Sequence, residues 1–220
     1  MTRSLDIVAT TTLVTCALIV TGLLVRREFF TSAQQTTQPD RAVFLKDWRA
    51  ALTSAADAPV QLIEFGDFEC PFCGEFHRNL SAVERRHQNM VALTFVHFPL
   101  QGHRFALAAA RVAECARDQG RFEAMRDELF ERQDDFGLKP WSDFAAAAGV
   151  SHLAAFDDCI KRTDPIPRVE EGRALGRKFD VRGTPTIIIN GWKLGRPPTL
   201  DELDHMIKAI LAGKSPVGST

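Results

Sequence analysis

A chain of 220 residues with 45% hydrophobic and 25% charged side chains is long enough to bury a real core, which sets it apart from disordered and low-complexity sequences. Its 27 Lys and Arg against 28 Asp and Glu leave a net charge of −1, and no basic block is interleaved with aromatics, so the electrostatic footprint of a nucleic-acid binder is missing. Tyrosine is absent and phenylalanine reaches 16, a bias with no functional reading.

The first element is an apolar run from Leu5 to Val25 in which Asp6 is the only charge. At 1.5 Å per residue it is long enough to cross a hydrocarbon core of about 30 Å. Residues 1–27 are therefore expected to form an N-terminal transmembrane helix. A cleaved signal peptide is the competing reading, with Thr31-Ser32-Ala33 as its cleavage site. Arg3 precedes the run and Arg26 and Arg27 follow it, so the flanking charges do not fix orientation. Residues 28–57 read as a linker and a short amphipathic helix. The linker is the polar stretch 31–40, and Val43, Phe44, Trp48 and Leu52 recur at helical spacing.

A folded domain is expected over 58–212. Val60 to Phe65 reads as a buried strand ending at Gly66, followed by a helix from Cys70 to about His87 and a strand from Met90 to Phe98. From Arg104 to Phe179 the pattern is helical, cut by Gly120, Pro140, Gly149 and Pro165 into four or five short helices. Thr186 to Ile189 is a further strand, and Asn190-Gly191 after it signals a hairpin, because both residues tolerate positive φ. Thr199 and Glu202 have capping-box spacing for a last helix reaching about Leu211. Residues 213–220 are expected to form a disordered tail.

Cysteines stand at 16, 70, 73, 115 and 159. Outside the apolar run that leaves an even set of four, which suits an oxidising compartment better than the cytosol. Cys70-Pro71-Phe72-Cys73 holds the chemistry. A strand feeding a helix whose first turn carries two thiols sets the first beside unpaired backbone N–H groups, where the positive end of the helix dipole favours its thiolate. Pro71 suits the first helical position, where its missing N–H costs nothing. Cys70 is then the exposed nucleophile and Cys73 the more buried resolving thiol. Half of a zinc site is the competing reading, but a second ligand pair is wanting: Cys115 and Cys159 are not paired locally, and His77 lies one turn beyond Cys73. No metal is expected. Glu64, in an apolar strand among Leu62, Ile63 and Phe65, is expected to be buried with a raised pKa, fit to exchange a proton with Cys73. His97, His103 and His152 show no mutual ligand spacing and read as structural or surface residues.

The segment Glu64-Phe65-Gly66-Asp67-Phe68-Glu69-Cys70-Pro71-Phe72-Cys73 closely resembles the active-site segment of DsbA-like thiol–disulfide oxidoreductases of the thioredoxin superfamily, and the resemblance runs in order from about Ala58 to Leu211. It implies an α/β thioredoxin fold, a central mixed β-sheet flanked by helices, with an inserted helical subdomain at about 104–180. Gly183-Thr184-Pro185-Thr186 falls at the family's cis-proline loop, which implies a cis Thr184–Pro185 bond. Glu64 falls where such proteins carry a buried acid beneath the dithiol. Some membrane-linked members have a second, structural disulfide where Cys115 and Cys159 stand; two buried reduced cysteines remain the alternative.

The implied activity needs no cofactor. It is the donation of a disulfide to unfolded or newly translocated protein thiols, with reoxidation by a quinone-linked membrane oxidase. The domain would lie on the periplasmic side of the cell membrane, held by the N-terminal helix. A reductase or an isomerase is the alternative direction, and Thr184, common at this place in isomerases, keeps it open. A non-enzymatic copper-binding module is the alternative of another class.

Overall fold

The computed structural model describes residues 42–52 and 58–218. The apolar run, and with it the expected transmembrane helix, lies outside the described residues. Among those residues no helix is long and apolar enough to cross a membrane.

The strands are β1 (Val43–Phe44), β2 (Val60–Gly66), β3 (Val91–His97), β4 (Thr186–Ile189) and β5 (Trp192–Lys193). They form one mixed sheet in the order β1-β5-β4-β2-β3, with β2 and β3 parallel and every other pairing antiparallel. The helices are α1 (Pro71–Arg86), α2 (Ala106–Arg117), α3 (Phe122–Glu131), α4 (Trp141–Ala147), α5 (Leu153–Ile160), α6 (Pro167–Lys178) and α7 (Leu200–Leu211). This is the thioredoxin arrangement that the motif implied.

The central strand β2 is buried on both faces, as a strand between two helical layers must be. Its side chains alternate. Leu62 packs with Phe76, Leu80 and Val83 of α1 and Leu203 and Ile207 of α7, while Ile63 and Phe65 pack with Trp48, Val96 and Phe179 on the other face. Glu64 therefore shares the Leu62 face, the one that α1 covers. The parallel β2–β3 pairing runs from Val60 opposite Val91 to Gly66 opposite His97. It brings the C-terminal ends of both strands to the start of α1, where the cysteines are.

The helical stretch divides. Helices α2 to α5 close their own core around Met125, Leu129, Phe144 and Phe156, and this core reaches the dithiol through Phe68, Cys70 and Cys73. Helix α6 instead lies on the sheet. A Cβ at Gly172 would come 2.1 Å from the His97 carbonyl oxygen, an approach only glycine permits.

One expectation is corrected at the start of the described residues. Residues 43–52 are not one amphipathic helix: Val43 and Phe44 pair with Lys193 and Trp192, and only Trp48–Ala51 coil, as a single 3-10 turn. The edge of β5 offers unpaired backbone groups, and a β-branched residue beside an aromatic one suits that edge. Leu45 N–H adds a bond to the Gly191 carbonyl at 2.8 Å, and the Phe44 and Trp192 rings meet edge-on at 5.4 Å. At the other end the expected tail is described only as far as Gly218, its last two residues lying outside the described ones; residues 214–218 form no helix or strand, but Val217 rests against the α1–α7 cluster.

Candidate active site

Three residues, Asp67, Phe68 and Glu69, join the end of β2 to α1. Cys70 is the N-cap of α1, extended at φ −72° and ψ 119°, with Pro71 in the first turn. Its carbonyl already accepts from Cys73 N–H at 3.1 Å and Gly74 N–H at 3.2 Å, so the helix begins on the cysteine itself. The Cys70 thiol faces the Thr184 carbonyl oxygen at 3.3 Å. Thr184 precedes Pro185 through a cis peptide bond, just ahead of β4. The two halves of the site, 114 residues apart, thus meet at one sulfur.

Both cysteines are free thiols and both are buried. Cys70 is not the exposed nucleophile expected: it is 3% exposed and Cys73 is 0%. Phe72 between them points outward at 64%. The helix start supplies polarity without solvent. The hydrogen bond from the Cys73 thiol lowers the Cys70 pKa most; burial opposes, and the Thr184 side chain and the backbone N–H groups of Cys73 and Phe72 lower it further, from the ordinary 9.0 to about 5. Cys73 is driven far the other way by burial, by the hydrogen bond it gives to Cys70 and by the nearby Glu64 carboxyl. Thus the pair holds one thiolate at neutral pH, on Cys70.

Glu64 is buried, with Oε1 making no hydrogen bond among the described residues. Desolvation raises its pKa from 4.5 to about 8; Arg126 on α3 opposes this and the Cys70 charge adds to it. A carboxyl that stays largely protonated at neutral pH, beside a thiol that cannot easily hold charge, is fit to pass a proton. Cys115 and Cys159 are joined by a disulfide linking α2 to α5, with Cα atoms 5.8 Å apart. His77 does not turn towards the thiols. It stacks on Phe130 at 5.0 Å, lies 3.6 Å from Asp127, and is held neutral by burial with a pKa of about 4. Among the described residues no group of three or more His, Cys, Asp or Glu gathers to hold a metal.

Two residues without an expected role frame the site. The Gln133 side-chain amide, in the 3-10 turn after α3, donates to the carbonyls of Phe68 at 2.7 Å and Cys70 at 2.9 Å. Asp67 is buried at the mouth of the loop, and its backbone N–H donates to Cys73 Sγ at 3.5 Å. An Asx turn could have been read at Asp67-Phe68-Glu69, since Asp67 Oδ1 accepts from Glu69 N–H at 2.8 Å. Gln133 carries no local signal.

A family model described as thioredoxin matches residues 53–209. Among curated proteins, the Na+/H+ antiporter NhaA 1 of Mycolicibacterium gilvum is 37% identical over 164 residues, which are 72% of this chain and 25% of that protein. The chain thus spans about a quarter of the length of the curated relatives it matches first. Disulfide bond formation protein D of Bacillus subtilis is 27% identical over 168 residues, 72% of this chain and 75% of that protein. Among solved structures, oxidised BdbD from Bacillus subtilis superposes with a TM-score of 0.65 at 24% identity, over 78% of this chain and 99% of that one. Alpha-DsbA1 of Wolbachia pipientis gives a TM-score of 0.59 at 23% identity, over 71% and 87% of the two chains. At those identities the superpositions speak for the fold.

Proposed function

Since the chain belongs to the thioredoxin family, we propose that it is a protein thiol–disulfide oxidoreductase working as an oxidase through Cys70 and Cys73. The observation that carries this reading is the split between the two thiols. Cys70, with a pKa of about 5, is a stable thiolate, while Cys73 stays protonated over a buried Glu64. Stabilising the reduced form in this way makes the disulfide a good oxidant.

A substrate thiolate attacks Cys70 Sγ of the Cys70–Cys73 disulfide. A substrate–Cys70 bond forms, the Cys70–Cys73 bond breaks, and its electron pair stays on Cys73, which takes up a proton. The substrate's second thiol, as thiolate, then attacks its own sulfur in the mixed disulfide and expels Cys70 as thiolate. Two electrons have passed to the protein and one disulfide to the substrate. The Thr184 carbonyl beside Cys70 offers a backbone acceptor to an extended substrate strand.

The same reading assigns the partners: unfolded or newly translocated protein thiols as substrate, and a quinone-linked membrane oxidase that restores the disulfide. The name of the Bacillus subtilis relative, a disulfide bond formation protein, favours that direction over reductase or isomerase. The domain is assigned to the outer side of the cell membrane, with residues 1–27 as its anchor, because the Cys115–Cys159 disulfide suits an oxidising compartment. Protease added to intact spheroplasts is expected to remove the domain.

The test of activity is oxidation of a dithiol peptide by the disulfide form of the protein. The wild type is expected to convert one equivalent of peptide, and Cys70→Ser none. Conversion undiminished in Cys70→Ser would end the proposal.

A further inference from the structure

The carboxylate of Asp67 is fully enclosed and fully used. Oδ1 accepts from Glu69 N–H at 2.8 Å; Oδ2 accepts from Leu100 N–H at 2.9 Å and from His103 Nδ1 at 2.7 Å. Leu100 and His103 belong to the loop after β3, so a single carboxylate ties that loop to the segment entering α1. The backbone of Asp67 is fixed as a consequence. Its carbonyl accepts from Cys70 N–H at 3.1 Å, and its N–H points at Cys73 Sγ at 3.5 Å.

This is the state in which the Cys70–Cys73 bond is open, and the sulfur that leaves Cys70 already has a donor. We propose that Asp67 is a positioning residue for thiol exchange: locked by Glu69, Leu100 and His103, it aims its own N–H at the place where negative charge lands on Cys73. The inference deepens the exchange reading above and rests on it. When a thiolate attacks Cys70, the electron pair of the broken S–S bond moves to Cys73 Sγ, and the Glu64 carboxyl then gives its proton to that sulfur. A buried leaving group with no solvent to receive its charge depends on such fixed donors. An Ala at 67 keeps the N–H but removes what aims it. His103 acts one step further out, through the carboxylate.

The experiment compares two rates in wild type, Asp67→Ala and His103→Gln. One is the attack of reduced glutathione on the disulfide form at pH 7, read by acid quench and mass spectrometry. The other is alkylation of Cys70 by iodoacetamide in the reduced form, which involves no departure of Cys73. Asp67→Ala is expected to slow glutathione attack roughly tenfold and alkylation less than about twofold. His103→Gln, which loses one of three anchors from a partly exposed position, is expected to slow attack about threefold, and it carries the test should Asp67→Ala not fold. Attack at the wild-type rate in the folded variants, or both rates falling together as in a loosened fold, would overturn the inference alone. A wild-type disulfide inert to glutathione would overturn the exchange reading and this inference with it.

Discussion

The side-chain amide of Gln133 donates to the carbonyl oxygen of Cys70 at 2.9 Å, across 63 residues of sequence. The helices inserted between the sheet strands therefore hold the dithiol segment directly. The fit is close, since a Cβ on Gly74 would come 2.4 Å from Gln133 Oε1.

This contact separates two substitutions of Gln133. Gln133→Ala leaves the Phe68 carbonyl short of its donor and should cost about 1–2 kcal/mol in urea unfolding. Gln133→Glu keeps the size but sets a carboxylate against two carbonyl oxygens, so it should cost more. It should also raise the Cys70 pKa, because a new negative charge disfavours the thiolate. Equal stability of the two variants would show that the amide's donors are not what matters.

The thiolate itself is visible in the ultraviolet. Absorbance at 240 nm of the reduced protein should titrate with a midpoint near 5, vanish in Cys70→Ser, and persist in Cys73→Ser at a higher midpoint, since the Cys73 thiol is the largest cause of the depression. The sign for stability follows. A pKa depressed on folding stabilises the reduced fold at high pH and loses that stabilisation as pH falls through 5. The stability difference between reduced and disulfide forms should therefore grow in favour of the reduced form from pH 5 to pH 8. A flat difference would contradict a low Cys70 pKa.

Glu64 works in the opposite sense and should be measured in the disulfide form, where Cys70 and Cys73 do not titrate. Burial raises its folded pKa well above the ordinary 4.5, to about 8 with the Cys70 thiolate present and somewhat lower without that charge, so the unfolded chain loses its proton first as pH rises. Between those values the fold should lose about 1.4 kcal/mol per pH unit from this group. Glu64→Gln should remove that slope, matching wild type near pH 4 and exceeding it in stability at pH 8. If the two proteins show parallel pH profiles in urea unfolding, the carboxyl is not buried as described.

The Cys115–Cys159 bond closes a loop of 44 residues within the inserted helices. In the chain-entropy account, replacing both cysteines by alanine should cost up to about 4 kcal/mol. Cys70 alkylation should be unchanged, because neither residue forms a hydrogen bond with the dithiol. A loss below about 1 kcal/mol would mean that the unfolded chain gains little freedom when the link is cut.

Elements whose signals are local were legible in the sequence. Thr199 and Glu202 form the reciprocal capping box at the start of α7. Asn190 and Gly191 turn with φ of 43° and 92°, as a two-residue hairpin demands. The cysteine pair and the strand before it declare themselves, because a helix start and a buried strand are short-range patterns. Val43 and Phe44 misled because their spacing with Trp48 and Leu52 satisfies a helix, whereas their true partners lie about 150 residues away. Cys70 was expected at the surface because the helix start supplies charge stabilisation; that it is covered as well depends on Thr184 and on the inserted helices. The hold of Gln133 on the loop and that of Asp67 on His103 are equally non-local, so nothing adjacent in sequence announces them.

The direction of electron flow rests on the balance between the dithiol and the disulfide, and the reduction potential of the Cys70–Cys73 pair measures that balance. Equilibration with glutathione redox buffers at pH 7, followed by trapping of free thiols, gives the value. A Cys70 thiolate stabilised to a pKa of about 5 predicts an oxidising couple, above about −150 mV and near the roughly −120 mV of strong disulfide donors. A value at or below about −250 mV, close to the roughly −270 mV of a thioredoxin reductant, would contradict the oxidase account.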